Sequence, residues 1–431
     1  MKRTTSCAAY GAALGFMSVC DASVVIHGSR SCQAMMFASK SVREVGKHRF
    51  IPNMGCFECR NMCCTDMTEK ASIFGGEALL EKKMDDLYSS GRRNIFVTTT
   101  CTAGIIGDKC KEVTDRFHSH HPGCNVGCVE TSGNMTGDWE EGFVKSSEVL
   151  SRFIQEDVEQ DDSVNILAER YYFYFRKNID NYIMDILKDF ELKVNTRYLY
   201  RSTMNEITKM GSARCNIMTI DDYITDRSIA HVNSRFKAKT LAAPIGFEQY
   251  EQWAKDMCNI FDARESLNET LESNSRLRDK LIPELQRITE GKRVLIYHED
   301  TDRFDWEIEA LIELGMEIEV IAKKPNHGNI LSKKWNLKVH QAEESDSFET
   351  IHNEFSPNII VTDTNLGLAK TRQYPPSGSR LVSERNDLTF TTPMLKQFFP
   401  GVGTKGYIDF MRDVETLLKG KGCGLWRSDR L

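Results

Sequence analysis

Three cysteines stand where an apolar, strand-like run gives way to a turn. Cys32 follows the run SVVIH and a glycine turn, Cys101 closes the run NIFVTTTC, and Cys7 opens the segment CAAYGAAL. The carboxyl ends of parallel strands form the crevice where α/β proteins bind ligands, so thiols at these positions are expected to face it. Thiolates gathered there from separate segments can hold an iron–sulfur cluster. One such cysteine alone would be a small core residue, but three together predict a redox protein built around a cluster.

A second group of cysteines lies in GCFECRNMCCTD and comprises Cys56, Cys59, Cys63 and Cys64. The C-x-x-C pair could bind zinc or an additional cluster. A complete zinc site needs two more ligands, which Cys63 and Cys64 could supply only from a crowded loop. These cysteines could equally be packing thiols or a redox pair, and both interpretations remain open.

The composition is that of a soluble globular protein. The 431 residues include 56 Lys and Arg and 62 Asp and Glu, and the net charge of −6 argues against a broad nucleic-acid surface. Fourteen cysteines in so long a chain favour metal binding in a reducing compartment over a disulfide scaffold. No apolar run approaches the roughly 20 residues of a membrane span. Lys2-Arg3 and the following apolar stretch imitate a short signal peptide, but we expect a cytoplasmic protein.

The order of predicted elements indicates an α/β fold with three Rossmann-like domains, each a mostly parallel sheet flanked by helices. In the first domain, 1–150, strands are predicted at 22–28, 94–101 and 124–131, and helices at 68–90 and 103–117. We expect a second α/β domain at 163–262, a long bridging helix at 263–290 and a third domain at 291–431, which ends in a C-terminal helix. The third domain lacks a G-x-G-x-x-G after its first strand and the chain lacks a Walker motif, so nucleotide binding is not predicted.

The histidines have simpler expected roles. His27 is expected to satisfy backbone groups at the glycine turn that follows it. His118, His120 and His121 precede Pro122 and are expected to close a helix, where cations are favoured.

An ordered set of motifs resembles the nitrogenase component 1 family. The set runs through all three predicted domains and consists of HGSRSC at 27–32, DMTEKASIFGGEALLEKKMDDL at 66–87, TTTCTAGIIGDK at 98–109, TSGNMTGDWEEGF at 131–143 and GKRVLIY at 291–297. The family comprises catalytic nitrogenase subunits, cofactor-scaffold relatives and related tetrapyrrole reductases.

The resemblance implies a cluster at a seam between subunits. Members have three α/β domains, and each subunit resembling the nitrogenase pair supplies three cysteines, whose positions fall here on Cys7, Cys32 and Cys101. The implied cofactor is a 4Fe-4S or 8Fe-7S type cluster, shared with an identical or homologous subunit in a dimer or tetramer. The implied electron donor is a separate ATP-hydrolysing iron–sulfur reductase that docks over the cluster.

The chain departs from the family pattern at three places. Ser31 stands before the second cysteine, where the family usually has glycine. The catalytic nitrogenase subunit holds its metallocofactor with one Cys and one His; Cys215 stands at the first position and Lys405 at the second. A protonated lysine amine is a poor metal ligand, so dinitrogen-reducing cofactor chemistry is not predicted. A buried strand cysteine and a surface lysine are the plain alternatives for these two residues.

Our leading prediction is an enzyme: a nitrogenase-like reductase subunit whose interface cluster passes electrons to a bound substrate or metallocofactor. A second metallocofactor would lie near Cys215 and the 401–406 loop, which makes Cys215 and Lys405 the catalytic candidates. The first alternative is a scaffold that carries a nascent metallocofactor for transfer. The second is a cluster-free assembly subunit.

Overall fold

The computed structural model describes residues 7–36, 61–167, 178–219, 223–262, 267–298, 305–322, 334–341, 345–362, 394–396 and 403–419. Cys56 and Cys59 lie outside the described residues. The chain divides into two compact units: Met1–Phe175 with Leu192–Ala242, and Arg176–Glu191 with Ala243–Leu431. Three parallel sheets flanked by helices are distributed over these units, which confirms the predicted fold class. The domain boundaries proposed above stay predictions.

The first sheet of unit 1 has four parallel strands in the order β2-β1-β3-β4. They are β1 Ser23–His27, β2 Met62–Cys64, β3 Asn94–Thr99 and β4 Asn125–Val129. All five residues of β1 are buried, as expected for a central strand covered on both faces by helices. The strands predicted at 22–28, 94–101 and 124–131 are confirmed as β1, β3 and β4. Because its strands are parallel, all four carboxyl ends lie along one edge of the sheet.

Two of the helices predicted around this sheet are each broken in two by a glycine. The helix predicted at 68–90 is interrupted at Gly75, which has φ +98°. The helix predicted at 103–117 is interrupted at Gly107, with φ +78°. Residues with a side chain rarely adopt these angles, and the single-helix predictions were therefore wrong. The helices around this sheet are Ala8–Met17, Ala71–Phe74, Glu77–Ser89, Cys101–Ile106, Cys110–His120 and Trp139–Ser151.

The second sheet of unit 1 is also parallel, in the order β6-β5-β7-β8. Its strands are β5 Asp161–Leu167, β6 Lys193–Arg197, β7 Ala213–Met218 and β8 Lys239–Ala242. Two of its helices are Met204–Thr208 and Tyr223–Asn233. The first begins with a capping box in which Thr203 and Glu206 satisfy each other's backbone N–H groups.

Unit 2 contains a five-stranded parallel sheet in the order β11-β10-β9-β12-β13. Its strands are β9 Arg293–His298, β10 Glu317–Ala322, β11 Lys338–Gln341, β12 Ile359–Thr362 and β13 Met394–Lys396. Its helices are Asn178–Asp189, Gly246–Phe261, Leu267–Thr289, Asp305–Glu313, Ser345–Phe355 and Gly403–Leu418. A long helix was predicted at 263–290 and is found at Leu267–Thr289. None of the described helices is long and apolar enough to cross a membrane.

Helices Ala8–Met17 and Trp139–Ser151 are in backbone contact. A Cβ on Gly11 would overlap the carbonyl oxygen of Trp139, and a Cβ on Gly142 would overlap that of Ala8. The buried Ala9, Ala12 and Ala13 of the first helix belong to the same core cluster as Val24 and Ile26 of β1. The contact fixes the start of helix Ala8–Met17, and with it Cys7, relative to the sheet.

We predict that Gly142→Ala destabilises the protein by about 2–3 kcal/mol, because the added methyl group forces two backbones apart in a packed core. Denaturant unfolding of both proteins measures the difference in the free energy of unfolding. Gly123→Ala is the matched control, since a Cβ on Gly123 meets nothing within 4 Å. Equal loss of stability in the two variants would contradict the backbone contact.

Candidate functional site

Cys32 and Cys101 follow two neighbouring strands of the first sheet. β1 and β3 pair in parallel with His27 opposite Thr99, so both chains leave the sheet side by side. Cys101 is the first residue of helix Cys101–Ile106. Cys32 lies in the first turn of the helical stretch 30–36 that follows β1, where its N–H donates to the Ser29 carbonyl at 3.1 Å. The parallel register therefore brings both predicted ligands to one edge of the sheet.

Thr100 joins the two loops that carry these cysteines. Its N–H and its hydroxyl both donate to the His27 carbonyl oxygen, at 3.0 and 3.2 Å. A Cβ on Gly28 would overlap the Thr100 side chain, so glycine is required where the loop to Cys32 begins. The distance between the two loops is thus set by backbone contact.

Cys7 is the N-cap of helix Ala8–Met17 and does not follow a strand, so the expectation that all three cysteines stand at strand ends was wrong for Cys7. It pairs with Asp138 in an isolated antiparallel bridge, and the Ala8 N–H donates to the Gly137 carbonyl at 3.1 Å. The loop that ends at Asp138 follows β4, and its Gly133, with φ +60°, lies against Cys101: a Cβ there would be 3.1 Å from the Cys101 Cβ. One loop therefore contacts the surroundings of both Cys7 and Cys101.

The three thiols are open to solvent to different degrees. Cys101 is exposed, and Cys7 and Cys32 are half-buried. Cys7 is the N-cap of helix Ala8–Met17, Cys101 is the first residue of helix Cys101–Ile106, and Cys32 lies in the first turn of the helical stretch 30–36. Thiolates are the ligands of iron–sulfur clusters, and the glycine against Cys101 leaves room beside it, so these residues fit such a group. Across the residues that the structure describes, no three His, Cys, Asp or Glu side chains are close enough to bind a single metal ion.

Other cysteines of this sheet and its helices are buried, as Cys64 and Cys110 are, or half-buried, as Cys63 and Cys128 are. Burial raises the pKa of Cys63 to about 11, and it also raises the pKa of Cys110 and Cys128. Cys63 and Cys64 belong to β2, paired with Val25 and Ile26 of β1. They were predicted to lie in a crowded loop, and this was wrong: a three-residue edge strand leaves little trace in sequence.

Cys215 lies inside β7, three residues before the strand ends at Met218. It is fully buried, and burial raises its pKa to about 12. The residue that follows the strand is Thr219, whose hydroxyl donates to the Leu167 carbonyl at 3.1 Å. The role of Cys215 as a cofactor ligand stays a prediction, and its position within the strand does not favour it.

Lys405 lies in unit 2, near the start of helix Gly403–Leu418. Its ammonium group forms an ion pair with Asp185 at 3.0 Å, and its side chain is 64% exposed. This is the geometry of a surface lysine. A contact between Lys405 and a substrate or cofactor stays a prediction.

Sequence reasoning missed a buried polar cluster next to the cysteine loops. His27 was expected to satisfy backbone groups at the glycine turn, and this was wrong for its ring. The ring Nε2 lies 2.8 Å from Asp108 Oδ2, and Nδ1 lies 3.1 Å from Thr65 Oγ1. Asp108 also accepts from the Gly76 N–H, at 3.1 and 3.0 Å from its two oxygens. All four residues stand within or next to the motifs at 27–32, 66–87 and 98–109, which was the available clue.

The same part of unit 1 exposes large apolar side chains. The exposed fractions are 71% for Met35, 72% for Ile73, 79% for Phe74, 70% for Ile105 and 77% for Met135. Met35 and Ile105 come within four residues of Cys32 and Cys101. Exposed apolar groups concentrated around a site indicate a surface that binds another protein.

Comparison with known proteins gives a consistent result. Residues 7–418 match the family model described as nitrogenase component 1 type oxidoreductase. The chain is 25% identical to the nitrogenase iron-molybdenum cofactor biosynthesis protein NifE of Methanococcus maripaludis, over 99% of this chain and 84% of that protein. It is 21% identical to the nitrogenase iron-iron protein alpha chain of Rhodobacter capsulatus, over 80% of this chain and 65% of that protein. A solved structure of nitrogenase Cp1 at pH 6.5 has the same fold, with a TM-score of 0.70 and 16% identity over 98% and 93% of the two chains.

We predict that iodoacetamide labels Cys101 fastest in the metal-free protein, followed by Cys7 and Cys32, while Cys110 and Cys215 stay unlabelled until the protein unfolds. With a pKa of about 12, Cys215 is a thiolate in only about one molecule in ten thousand at pH 8, and it is also out of reach. Peptide mass spectrometry over a time course measures the order. Labelling of Cys215 at the rate of Cys101 would contradict the described burial.

Proposed function

This chain belongs to the nitrogenase component 1 family of oxidoreductases, and on that basis we propose that it is a redox subunit that holds an iron–sulfur cluster at a seam with a second subunit. Cys7, Cys32 and Cys101 are the proposed ligands. The parallel register that places Cys32 and Cys101 after neighbouring strands carries the proposal, and it is supported by the loop before Asp138, which contacts the surroundings of both Cys7 and Cys101. The substrate class is a small molecule or an unsaturated ring system that accepts single electrons.

Each residue near the cluster has a defined task. When bound, the cluster supplies reversible one-electron transfer. The sulfurs of Cys7, Cys32 and Cys101 would hold it. Thr100 keeps the loops of Cys32 and Cys101 at a fixed distance through its two hydrogen bonds to His27. Gly133 leaves space beside Cys101 that a larger residue would fill.

The partner subunit, identical or homologous, covers the exposed side of these cysteines. Met35, Ile105 and Met135 are more than two-thirds exposed in the single chain and lie close in sequence to the thiols or to Gly133. Burying them in a seam would exclude water from the cluster and supply the remaining ligands from the partner.

We predict that Cys32→Ser and Cys101→Ser each lower bound iron and acid-labile sulfide at least about tenfold, because each removes a thiolate ligand. Anaerobic purification with metal and sulfide analysis measures the loss, and electron paramagnetic resonance before and after dithionite identifies the cluster. Cys20→Ser is the matched control: Cys20 is half-buried and donates to the Arg201 carbonyl at 3.1 Å, a bond that serine can keep.

Two outcomes would count against the proposal. Wild-type protein that carries no iron after anaerobic purification would favour the cluster-free assembly subunit. Equal iron content in Cys20→Ser and in the two ligand variants would show that Cys32 and Cys101 are not cluster ligands.

A scaffold role for the same cluster-bearing chain is the second candidate. Two observations favour it: Cys215 is buried within β7, and Lys405 is an exposed, ion-paired residue in place of the family histidine. A metallocofactor that is to be passed on should be held loosely, without a strong pair of side-chain ligands. Similarity to proteins named NifE, which are cofactor biosynthesis proteins, points in the same direction.

We predict that an ATP-hydrolysing iron–sulfur reductase donates electrons to this chain and that Phe74→Ala weakens the encounter by about 2 kcal/mol, roughly thirtyfold in Kd. Phe74 and Ile73 are the exposed apolar residues of a separate short helix, Ala71–Phe74, and provide a docking anchor. Rapid-mixing reduction of the cluster measures the effect, with Leu277→Ala, an exposed leucine in unit 2, as control.

The same reaction mixture separates the two roles. Consumption of a candidate substrate with reductase and ATP supports the enzyme. Reduction of the cluster without turnover, accompanied by passage of a metallocofactor to an acceptor protein, supports the scaffold. If Phe74→Ala and wild type are reduced at the same rate, the docking anchor is wrong.

A further inference from the structure

His27 is a buried titratable group that the proposed function does not use. Its side chain is fully buried, and that of its partner Asp108 is 4% exposed. Thr65, the second partner, is also buried. Asp, His and Thr thus form a continuous hydrogen-bonded chain inside unit 1, with 2.8 Å between the first pair and 3.1 Å between the second.

The hydrogen bonds from Asp108 and Thr65 accommodate His27 in either protonation state, and no hydrogen bond is lost when the ring gains a proton. In the neutral ring, Nε2–H donates to the Asp108 carboxylate, and the Thr65 hydroxyl donates to Nδ1. In the protonated ring, Nδ1–H donates to Thr65 Oγ1, and the hydroxyl turns towards the Gly28 carbonyl, 3.4 Å away. The Gly28 N–H donates to Thr65 Oγ1 at 3.1 Å in both states. Reversal of one hydroxyl is the only change required.

His27 and Thr65 also form hydrogen bonds with the two loops that carry the proposed ligands. The His27 carbonyl accepts from both donors of Thr100, the residue before Cys101. Gly28, held by Thr65, begins the loop that leads to Cys32. His27 and Thr65 are therefore connected by direct hydrogen bonds to the loops of both proposed ligands.

Burial and the neighbouring carboxylates have opposite effects on the pKa of His27. Burial lowers the pKa of His27 below its ordinary value, while Asp108 and Glu77 act in the opposite direction. Among the described residues, these two carboxylates are the charged side chains that act on the ring. The ring is therefore neutral near pH 7, and a further negative charge nearby would favour its protonation.

Resting on the proposed function, we propose that His27, with Asp108 and Thr65, accepts a proton from solvent when an electron enters the site held by Cys32 and Cys101. One electron comes from the partner reductase, and one proton is bound at Nδ1 of His27. Both leave again when the site is oxidised, so charge and atoms balance. His27 is thus a charge-compensating, positioning residue, distinct from the ligands themselves.

The test is the pH dependence of the midpoint potential of the cluster-loaded protein, measured from roughly pH 5.5 to 8.5 around the ordinary histidine pKa. For one proton per electron, each tenfold change in proton concentration shifts the equilibrium tenfold, about 59 mV. Wild type is expected to approach this slope over part of the range. His27→Gln is expected to be nearly flat, because glutamine keeps hydrogen bonds but cannot titrate. Thr65→Ser keeps the hydroxyl group and is expected to show the same slope as the wild type.

The outcomes distinguish this inference from the proposed function. A flat wild-type profile, or an equal slope in loaded wild type and His27→Gln, overturns the role of His27 while the cluster stands. If the purified protein binds no cluster, the proposed function is contradicted, and the inference that rests on it is contradicted as well. If His27→Gln fails to fold, Thr65→Val takes its place; it removes the hydroxyl, and an unchanged slope in that variant overturns the inference.

Discussion

The register of β1 against β3 is the constraint on which the rest of the site depends. With His27 opposite Thr99, the next residue, Thr100, donates twice to the His27 carbonyl and joins the loops of two proposed ligands. A slip of one position would turn every side chain of the strand to the opposite face and would break both bonds. The chemistry of this edge is therefore set by sheet pairing, before any side chain binds a metal.

The first sheet also explains why the third cysteine can join from a distant part of the chain. Helix Ala8–Met17 packs by backbone contact on helix Trp139–Ser151, and the loop just before the latter helix touches both Cys7 and the surroundings of Cys101. Gly11 and Gly142, which permit this helix contact, therefore help to set the position of Cys7. In contrast, Cys215 lies in the middle of a strand, where neighbouring side chains surround it on every side.

Much of this could be predicted from the sequence. The apolar runs that form β1, β3 and β4 are bounded by turns, and the glycine-rich motifs mark their carboxyl ends. The breaks at Gly75 and Gly107 were missed because apolar residues keep a helical spacing through both glycines. The partnership of His27 with Asp108 spans 81 positions, and periodicity carries no information about contacts at that range. β2 was missed because three residues at a sheet edge show no alternation.

Unit 2 is assembled from two separate stretches, since Arg176–Glu191 belongs to it although residues of unit 1 follow. Ile186 lies against Gly403, 2.7 Å from where a Cβ would stand, and Asp185 pairs with Lys405. Helix Asn178–Asp189 ends 214 residues before helix Gly403–Leu418 begins (403 − 189). At ribosomal rates of roughly 5–20 residues per second, the earlier helix waits about 10–40 seconds for the later one to be synthesised. The surface that contacts Gly403 has no final partner during that time, so the packing of unit 2 is completed only after helix Gly403–Leu418 has been made.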